Sequence, residues 1–264
     1  MLQKILKVPI QLGETIIDNL RGFGAAWLFL FQIIWRAFLP PWHFSLLFKQ
    51  IYQIGVGSIA VVTLVGGFTG AVLAVQGEHT LSKFGATAFT SPMIALGLLR
   101  ELGPVLTALM VNGRAGSAMT AELGIMKITE QVDALRSMAV DPIQHLMVPR
   151  LLAGIICLPI LSLFFNCMGI FGGYLVGVGT LDLASGTFIS QMTSAVAPVD
   201  VYSGIVKALV FGLCFAWISC YKGWTCGFGA VGVNAATTSA VVTSSVTILV
   251  VDYFLTSILT QVFF

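Results

Sequence analysis

Long apolar stretches separated by short polar ones make up most of the chain. Five of them are long enough to cross a bilayer, because a helix needs about 20 apolar residues to span the hydrocarbon core. They run over about 52–76, 90–111, 147–178, 201–221 and 238–264. The pattern predicts an all-α fold, a polytopic membrane bundle of five transmembrane helices.

The first 45 residues follow a different pattern. Residues 3–20 place apolar side chains on one helical face and polar ones on another, which predicts an amphipathic helix in the membrane interface. Residues 23–39 are apolar and aromatic, but Arg21 and Arg36 bracket them and leave too few residues for an ordinary span. The pattern favours an elbow embedded in one leaflet, with a sixth span as the alternative.

Composition agrees with a membrane bundle. Hydrophobic residues make up 57% of the chain and charged ones 9%, whereas soluble domains are about a quarter charged. We predict one domain over 1–264, with the interfacial helix and elbow in 1–45 and the bundle in 46–264. The net charge of +2 is small and the basic residues are scattered, so nucleic acid is not an expected partner.

The positions of Lys and Arg predict the orientation, because cytoplasmic loops hold the excess of basic residues. One side of the bundle carries Lys4, Lys7, Arg21, Arg36, Lys49, Arg114, Lys127, Arg136, Arg150 and Lys222, and the other carries Lys83. The amino terminus and the polar segment 112–145 are therefore expected in the cytoplasm. The carboxyl terminus is expected on the periplasmic side.

Several chemical motifs are missing from the sequence. There is no GxxxxGK[ST] phosphate loop, no HExxH metal motif and no GxSxG nucleophile motif, and the five cysteines lack metal-ligand spacing. We therefore expect a chain that is not an enzyme and holds no metal or cofactor. Any ATP and Mg²⁺ must be bound by a partner subunit.

Small residues recur at helical spacing in the first and third spans. They are Gly66, Gly70 and Ala74, and then Gly169, Gly173 and Gly177. Such faces let helix backbones approach closely in a bilayer. Two interpretations fit them, namely ordinary packing within one chain and a homodimer contact.

Four ionisable residues fall inside predicted spans: Arg100 and Glu101 in the second, Lys207 in the fourth and Asp252 in the fifth. A charge at the bilayer centre costs about 2.5–3.5 kcal/mol on insertion scales, so each one needs a reason. They either pair with each other and fix the helices, or form the polar floor of a cavity for a lipid headgroup. Leu73, Leu81 and Phe84 would share a face of an extended first span and form part of the apolar wall.

Within the segment 121–142, an apolar stripe of Ile128, Val132 and Leu135 lies opposite charged residues. This pattern predicts a cytoplasmic helix parallel to the membrane, either as a solvated loop helix or as a docking surface.

The stretch LLRELGPVLTALMVNGRAGSAMTAELGIMKITEQVDALRSMAVDP, residues 98–142, resembles the MlaE/YrbE family of ABC-type permeases. The resemblance continues through PRLLAGIICLPIL, residues 149–161, and covers most of the chain from about residue 45.

The resemblance implies a homodimer, a cytoplasmic ABC ATPase dimer, a periplasmic MCE-domain hexamer and a small STAS-like subunit. It also implies that the segment 126–138 is a coupling helix between spans two and three, with Glu130, Gln131, Asp133 and Leu135 in contact with the ATPase. The function it implies is phospholipid transport between a bacterial inner membrane and the MCE assembly, which maintains outer-membrane lipid asymmetry. An ion-coupled secondary transporter that uses Glu101 and Asp252 is the alternative.

Overall fold

The computed structural model describes residues 21–40, 44–181 and 183–263, and these residues form helices and short connections without any strand. Five helices in this part of the chain are long and apolar enough to cross a membrane. We name them spans one to five; they are Phe44–Ser82, Thr87–Ile128, Ile143–Gly179, Pro198–Trp224 and Gly229–Val262. The prediction of an all-α bundle with five spans is confirmed.

Three shorter helices accompany the spans. They cover residues 21–37, Gln131–Ser137 and Ser185–Ala195. The Ser185–Ala195 helix packs on the beginning of span two, where Ser91 Oγ donates a 2.9 Å hydrogen bond to the Phe188 carbonyl group. The predicted amphipathic helix over 3–20 lies outside the described residues.

The helix 21–37 is an elbow on one end of the bundle. Near its start, the indole nitrogen of Trp217 in span four donates a 2.9 Å hydrogen bond to the Ala26 carbonyl oxygen. At its other end, Arg36 forms an ion pair with Asp141, just before span three. Since span four ends where span three begins, both ends of this helix lie on the same side of the bundle. This geometry agrees with an elbow and not with a sixth span, and the placement of the elbow in one leaflet stays a prediction.

Span one packs against span three through glycines, so that the two backbones touch. A methyl group built on Gly70 would collide with the Gly169 carbonyl group, and one on Gly172 would collide with that of Gly67. Such close approach gives dispersion contacts and room for weak Cα–H···O bonds. The small-residue faces therefore serve packing within one chain, and the alternative of a homodimer contact through them is wrong.

Span two is much longer than the apolar pattern predicted. The sequence placed a polar segment from residue 112 onward, whereas the helix continues to Ile128. Its polar residues bond to neighbouring spans: Asn112 to Ser244 of span five, Thr120 to the Ser219 carbonyl group of span four, and Lys127 to the Cys226 carbonyl group. The hydropathy pattern ended the helix too early because these polar side chains find their partners inside the bundle.

The glycine contact between spans one and three makes a prediction about stability. Gly70→Ala should lower the free energy of unfolding by about 1–3 kcal/mol, because the added methyl group forces two backbones apart. Gly67→Ala, on the same helix, is the matched control, since its methyl group would lie 3.8 Å from the nearest atom, the Met168 carbonyl oxygen. Thermal unfolding of the purified permease in detergent measures both. Equal stability of the two variants would contradict the packing described here.

Candidate functional site

Arg100 and Glu101 of span two contact different neighbours. Consecutive helical residues point about 100° apart, so the two side chains diverge. The Arg100 guanidinium group pairs with Asp200 of span four, with Nε and Nη2 at 2.7 and 2.6 Å from the same carboxylate oxygen. Glu101 pairs with Lys207 of span four. Each charge in the middle of span two thus has a partner of opposite sign on another span.

Asp200 was not among the predicted site residues. The sequence placed it in a loop, whereas it lies in the first turn of span four with 0% of its surface exposed. Its second carboxylate oxygen accepts a 2.8 Å hydrogen bond from the Ala197 backbone N–H, just before the helix starts. The available signal was Pro198, because proline favours the first turn of a helix and acidic residues are favoured beside it.

Lys207 is the centre of a second group of polar residues. Its ammonium nitrogen lies 2.5 Å from a Glu101 carboxylate oxygen, 2.7 Å from Thr256 Oγ1 and 3.2 Å from Asp252 Oδ1. Only 2% of the Lys207 side chain is exposed. The contacts join spans two, four and five around one buried cation. We call Arg100, Glu101, Asp200, Lys207 and Asp252 the charged cluster.

The charged cluster is accessible from one side. The Arg100 and Glu101 side chains are 36% and 41% exposed in the single chain, although their partners Asp200 and Lys207 are almost fully buried. Three carboxylates face two cations, so one negative charge is in excess when all five groups are ionised. The interpretation that the four predicted charges pair with each other holds for Lys207, Glu101 and Asp252, whereas Arg100 pairs with Asp200, outside the predicted set. Arg100 and Glu101 keep this partial exposure while they are paired.

Two of the three residues predicted to form the apolar wall lie in the helix of span one, and the third does not. Leu73 and Leu81 are half-buried in span one, and Leu73 packs against the hydrophobic core. Phe84 lies beyond the end of the helix, in a turn before Gly85, and is 79% exposed. The expectation that all three share one helical face is therefore wrong for Phe84, because the helix ends at Ser82.

The predicted coupling segment is two elements and not one helix over 126–138. Span two ends at Ile128, and a new helix, Gln131–Ser137, starts after Glu130. Glu130 has a left-handed backbone with φ of 59°, which breaks the helix there. We call Gln131–Ser137 the short basal helix.

Within the short basal helix the predicted amphipathic pattern holds. Val132 is buried and Leu135 half-buried, while Gln131 and Asp133 are exposed. Asp133 pairs with Arg136 at 2.9 Å, and the Arg136 guanidinium group lies 5.8 Å from the centre of the Trp224 ring at the end of span four. Leu135 thus faces the bundle, whereas Glu130, Gln131 and Asp133 are free to meet a partner.

Comparison with known proteins decides the family. The sequence profile of a family described as "Permease MlaE" matches residues 47–258, which includes all of the charged cluster and the short basal helix. The chain belongs to the MlaE permease family. It is therefore a multi-pass membrane permease subunit, a class that binds no nucleotide itself and relies on an ATPase partner.

Relatives of this permease match along nearly the whole of this chain. One from Haemophilus influenzae, named "Intermembrane phospholipid transport system permease protein MlaE", is 43% identical over 94% of this chain and 95% of the relative. A "Probable ABC transporter permease protein" of Rickettsia bellii is 43% identical over 98% of this chain and 100% of the relative. The chloroplastic "TRIGALACTOSYLDIACYLGLYCEROL 1" of Arabidopsis thaliana is 34% identical over 97% of this chain and 68% of the relative.

The buried pair between Arg100 and Asp200 makes a prediction. Arg100→Leu leaves Asp200 ionised and without this cation, which should destabilise the permease by on the order of 3 kcal/mol. The double variant Arg100→Leu/Asp200→Asn should recover much of that loss, because asparagine removes the charge and keeps an oxygen for the Ala197 N–H. Thermal unfolding and membrane accumulation measure the difference. A double variant less stable than the single one would show that the pair does not stabilise the bundle.

Proposed function

We propose that this permease moves phospholipids between a bacterial inner membrane and a periplasmic MCE assembly, and so helps to maintain outer-membrane lipid asymmetry. The observation that carries the proposal is the 43% identity, over 94% of the chain, to a permease named for intermembrane phospholipid transport. Family membership alone gives an ABC permease. The substrate class comes from that relative together with the accessible charged cluster.

We assign the lipid headgroup to the exposed edge of the charged cluster. The Arg100 guanidinium group is partly exposed, and its positive charge suits a phosphate group. Glu101 and Asp252 supply the excess negative charge and suit an amine of the headgroup, while Lys207 holds both carboxylates in place. Leu73, Leu81 and Phe84 at the outer end of span one would contact the acyl chains.

A second copy of the chain would form the other wall of a cavity over the charged cluster. Span five is the most exposed of the five spans, and its apolar side chains Val242, Val246, Leu249 and Tyr253 are 53–71% exposed at helical spacing. A stripe of this kind suits contact with an identical helix across a two-fold axis. Because Asp252 and Thr256 lie on the same helix, the charged cluster would lie beside that axis.

The remaining partners and the orientation follow from the same proposal. The ATPase dimer would contact Glu130, Gln131 and Asp133 on the cytoplasmic side, and would bind ATP and Mg²⁺. The MCE-domain hexamer would lie at the carboxyl-terminal, periplasmic side, and a STAS-like subunit would bind the ATPase. The Lys and Arg distribution and the elbow on the basal side support this orientation.

The alternative of an ion-coupled secondary transporter has less support. It requires Glu101 and Asp252 to exchange ions with solvent, whereas both already contact the Lys207 ammonium group. Its usual internal repeat is also missing from the sequence. The names of the relatives, ABC transporter permeases, favour energy from ATP.

Affinity purification in mild detergent tests the proposed function. The permease should bring down an ATPase, an MCE protein and phospholipid, identified by mass spectrometry of proteins and lipids. The Arg100→Leu/Asp200→Asn variant should retain both protein partners and several-fold less phospholipid, because it lacks the guanidinium group that meets the phosphate. Purification without phospholipid, or unchanged lipid in the variant, would contradict the proposal.

A variant of the basal side tests the coupling contact. Glu130→Asn/Asp133→Asn removes two exposed charges, and asparagine tolerates the left-handed backbone at residue 130. The variant should accumulate normally, since exposed charge changes alter stability by less than about 0.5 kcal/mol. ATP-driven lipid transfer and ATPase recruitment should both fall. The control is Glu78→Gln, which removes an acidic charge at the opposite end of span one. Normal lipid transfer by the double variant would contradict the proposed contact between these residues and the ATPase.

A further inference from the structure

Two adjoining cavities lie at the basal end of the bundle, away from the charged cluster. The first, about 450 Å³, lies between the start of span one, the end of span two and the start of span three. The second, about 410 Å³, lies between spans one and two. They share Gln50, Gln53 and Glu122 as a common wall. We call the two cavities together the basal groove.

The lining of the basal groove carries an excess of positive charge. Lys49 and Arg150 line the first cavity and Arg114 lines the second, whereas Glu122 is the acidic residue that the two share. Three fixed cations therefore face one carboxylate among the described lining residues. An anion that entered the groove would gain more attraction than repulsion.

Two buried side chains in this groove have hydrogen-bonding groups without a protein partner. Arg150 is 5% exposed; it contacts Glu122 at 3.1 Å and the Leu146 carbonyl group at 2.9 Å, while its Nε has no partner. Gln50 is 9% exposed, and its side-chain amide makes no hydrogen bond within the described part of the chain. The buried Nε of Arg150 is left unpaired at a cost in free energy and favours an additional acceptor. The Gln50 amide adds a donor beside it in the same cavity.

Arg114 is held at the rim of the groove by span one. Its Nη1 donates 3.1 Å hydrogen bonds to the Gln53 carbonyl oxygen and to Ser58 Oγ. The guanidinium group lies directly against Gly57, where a methyl group would collide with it. Nη2 is the atom closest to Gly57, so the guanidinium group is positioned by span one on two sides while its positive charge remains at the groove.

The depth of the groove indicates the source of the anion. At 1.5 Å per residue, Arg114 lies roughly 36 Å along span two from Thr90. A hydrocarbon core is about 30 Å thick, so Arg114 reaches the headgroup region of the leaflet opposite Thr90. The walls also include apolar side chains, namely Leu46, Ile54, Met119 and Ile125. A phosphate group joined to acyl chains matches this combination better than an acidic protein segment does.

We propose that the basal groove binds the phosphate group of a phospholipid from the cytoplasmic leaflet, between the guanidinium groups of Arg114 and Arg150. The Gln50 amide donates to the same phosphate, and the acyl chains lie along the apolar walls. This is a second lipid site, roughly 21 Å along span two from Arg100 by helical rise. It rests on the proposed orientation, which makes the basal side cytoplasmic.

Photo-crosslinking in nanodiscs tests the proposal with the full permease. The probe is phosphatidylglycerol with a diazirine near the start of one acyl chain, and the comparison probe is a diacylglycerol with the same diazirine and no phosphate. Peptides covering 46–57 and 114–122 should be labelled by the first probe and much less by the second. Arg114→Gln should lower this labelling roughly tenfold, as the loss of a charge-assisted hydrogen bond predicts.

Further variants separate the site from general surface attraction and from misfolding. Gln50→Leu removes a donor without changing charge, and Gly57→Ala displaces the Arg114 guanidinium group without removing it; both should reduce labelling. Arg21→Gln is the matched control, because it removes an exposed basic charge on the elbow away from the groove. Circular dichroism and gel filtration exclude variants that do not fold.

The possible results are distinct. Equal labelling in Arg114→Gln and the unaltered permease, or an equal loss in Arg21→Gln, would overturn the proposal. Competition by inorganic phosphate would show that free phosphate and not a lipid occupies the groove. Loss of labelling on addition of the ATPase partner, with the ATPase cross-linked to the same peptides, would assign the groove to that protein. Because the assay needs neither ATP nor an MCE protein, its failure would leave the test of phospholipid transfer unaffected.

Discussion

The contacts of the Lys207 ammonium group determine how three of the five spans assemble. An ammonium group in a low-dielectric surrounding needs an opposite charge and a hydrogen-bond acceptor for each N–H. Glu101 of span two and Thr256 of span five accept hydrogen bonds from it, and Asp252 of span five adds a second negative charge. Since only 2% of the Lys207 side chain is exposed, water cannot replace these contacts in the assembled bundle. The pair between Arg100 and Asp200 fixes the same helix one to two turns away.

The bundle therefore contains two kinds of helix contact. Spans one and three meet through glycine backbones. This contact depends on close packing, and its glycines have no polar side chain that could bind a ligand instead of the neighbouring helix. Spans two, four and five meet through charges and hydroxyl groups, and the exposed edges of Arg100 and Glu101 can bind either a neighbour or a ligand. The polar contacts among spans two, four and five suit a site that binds and releases a polar headgroup. Hydrogen bonds to the headgroup can replace hydrogen bonds between the spans.

How much the sequence predicts depends on whether a feature is local. Span number, the elbow and the amphipathic face of the short basal helix follow from periodicity and length, and the sequence predicted them. The partner of Arg100 did not follow, because Asp200 is 100 residues away and looked like a loop residue after Pro198. The length of span two was missed for the same reason, since Asn112 and Thr120 are polar in sequence but satisfied by spans five and four. Glu130 was placed inside a helix because nothing in its side chain marks a left-handed backbone.

Span two connects the two regions where ligand and ATPase are proposed to bind. It is one helix of 42 residues, roughly 63 Å long at 1.5 Å per residue. Polar contacts tie it to spans four and five at successive levels, from Glu101 through Asn112 to Lys127. Its regular hydrogen bonding is interrupted by π-helical turns at Leu98–Leu102 and Asn112–Gly116, and Pro104 follows the first. Such turns bend helices and are frequent at functional sites. The first of these turns includes Arg100 and Glu101. A displacement of the short basal helix that span two transmits would therefore reach the charged cluster at a turn where span two can bend. The geometry of the cluster would change with it.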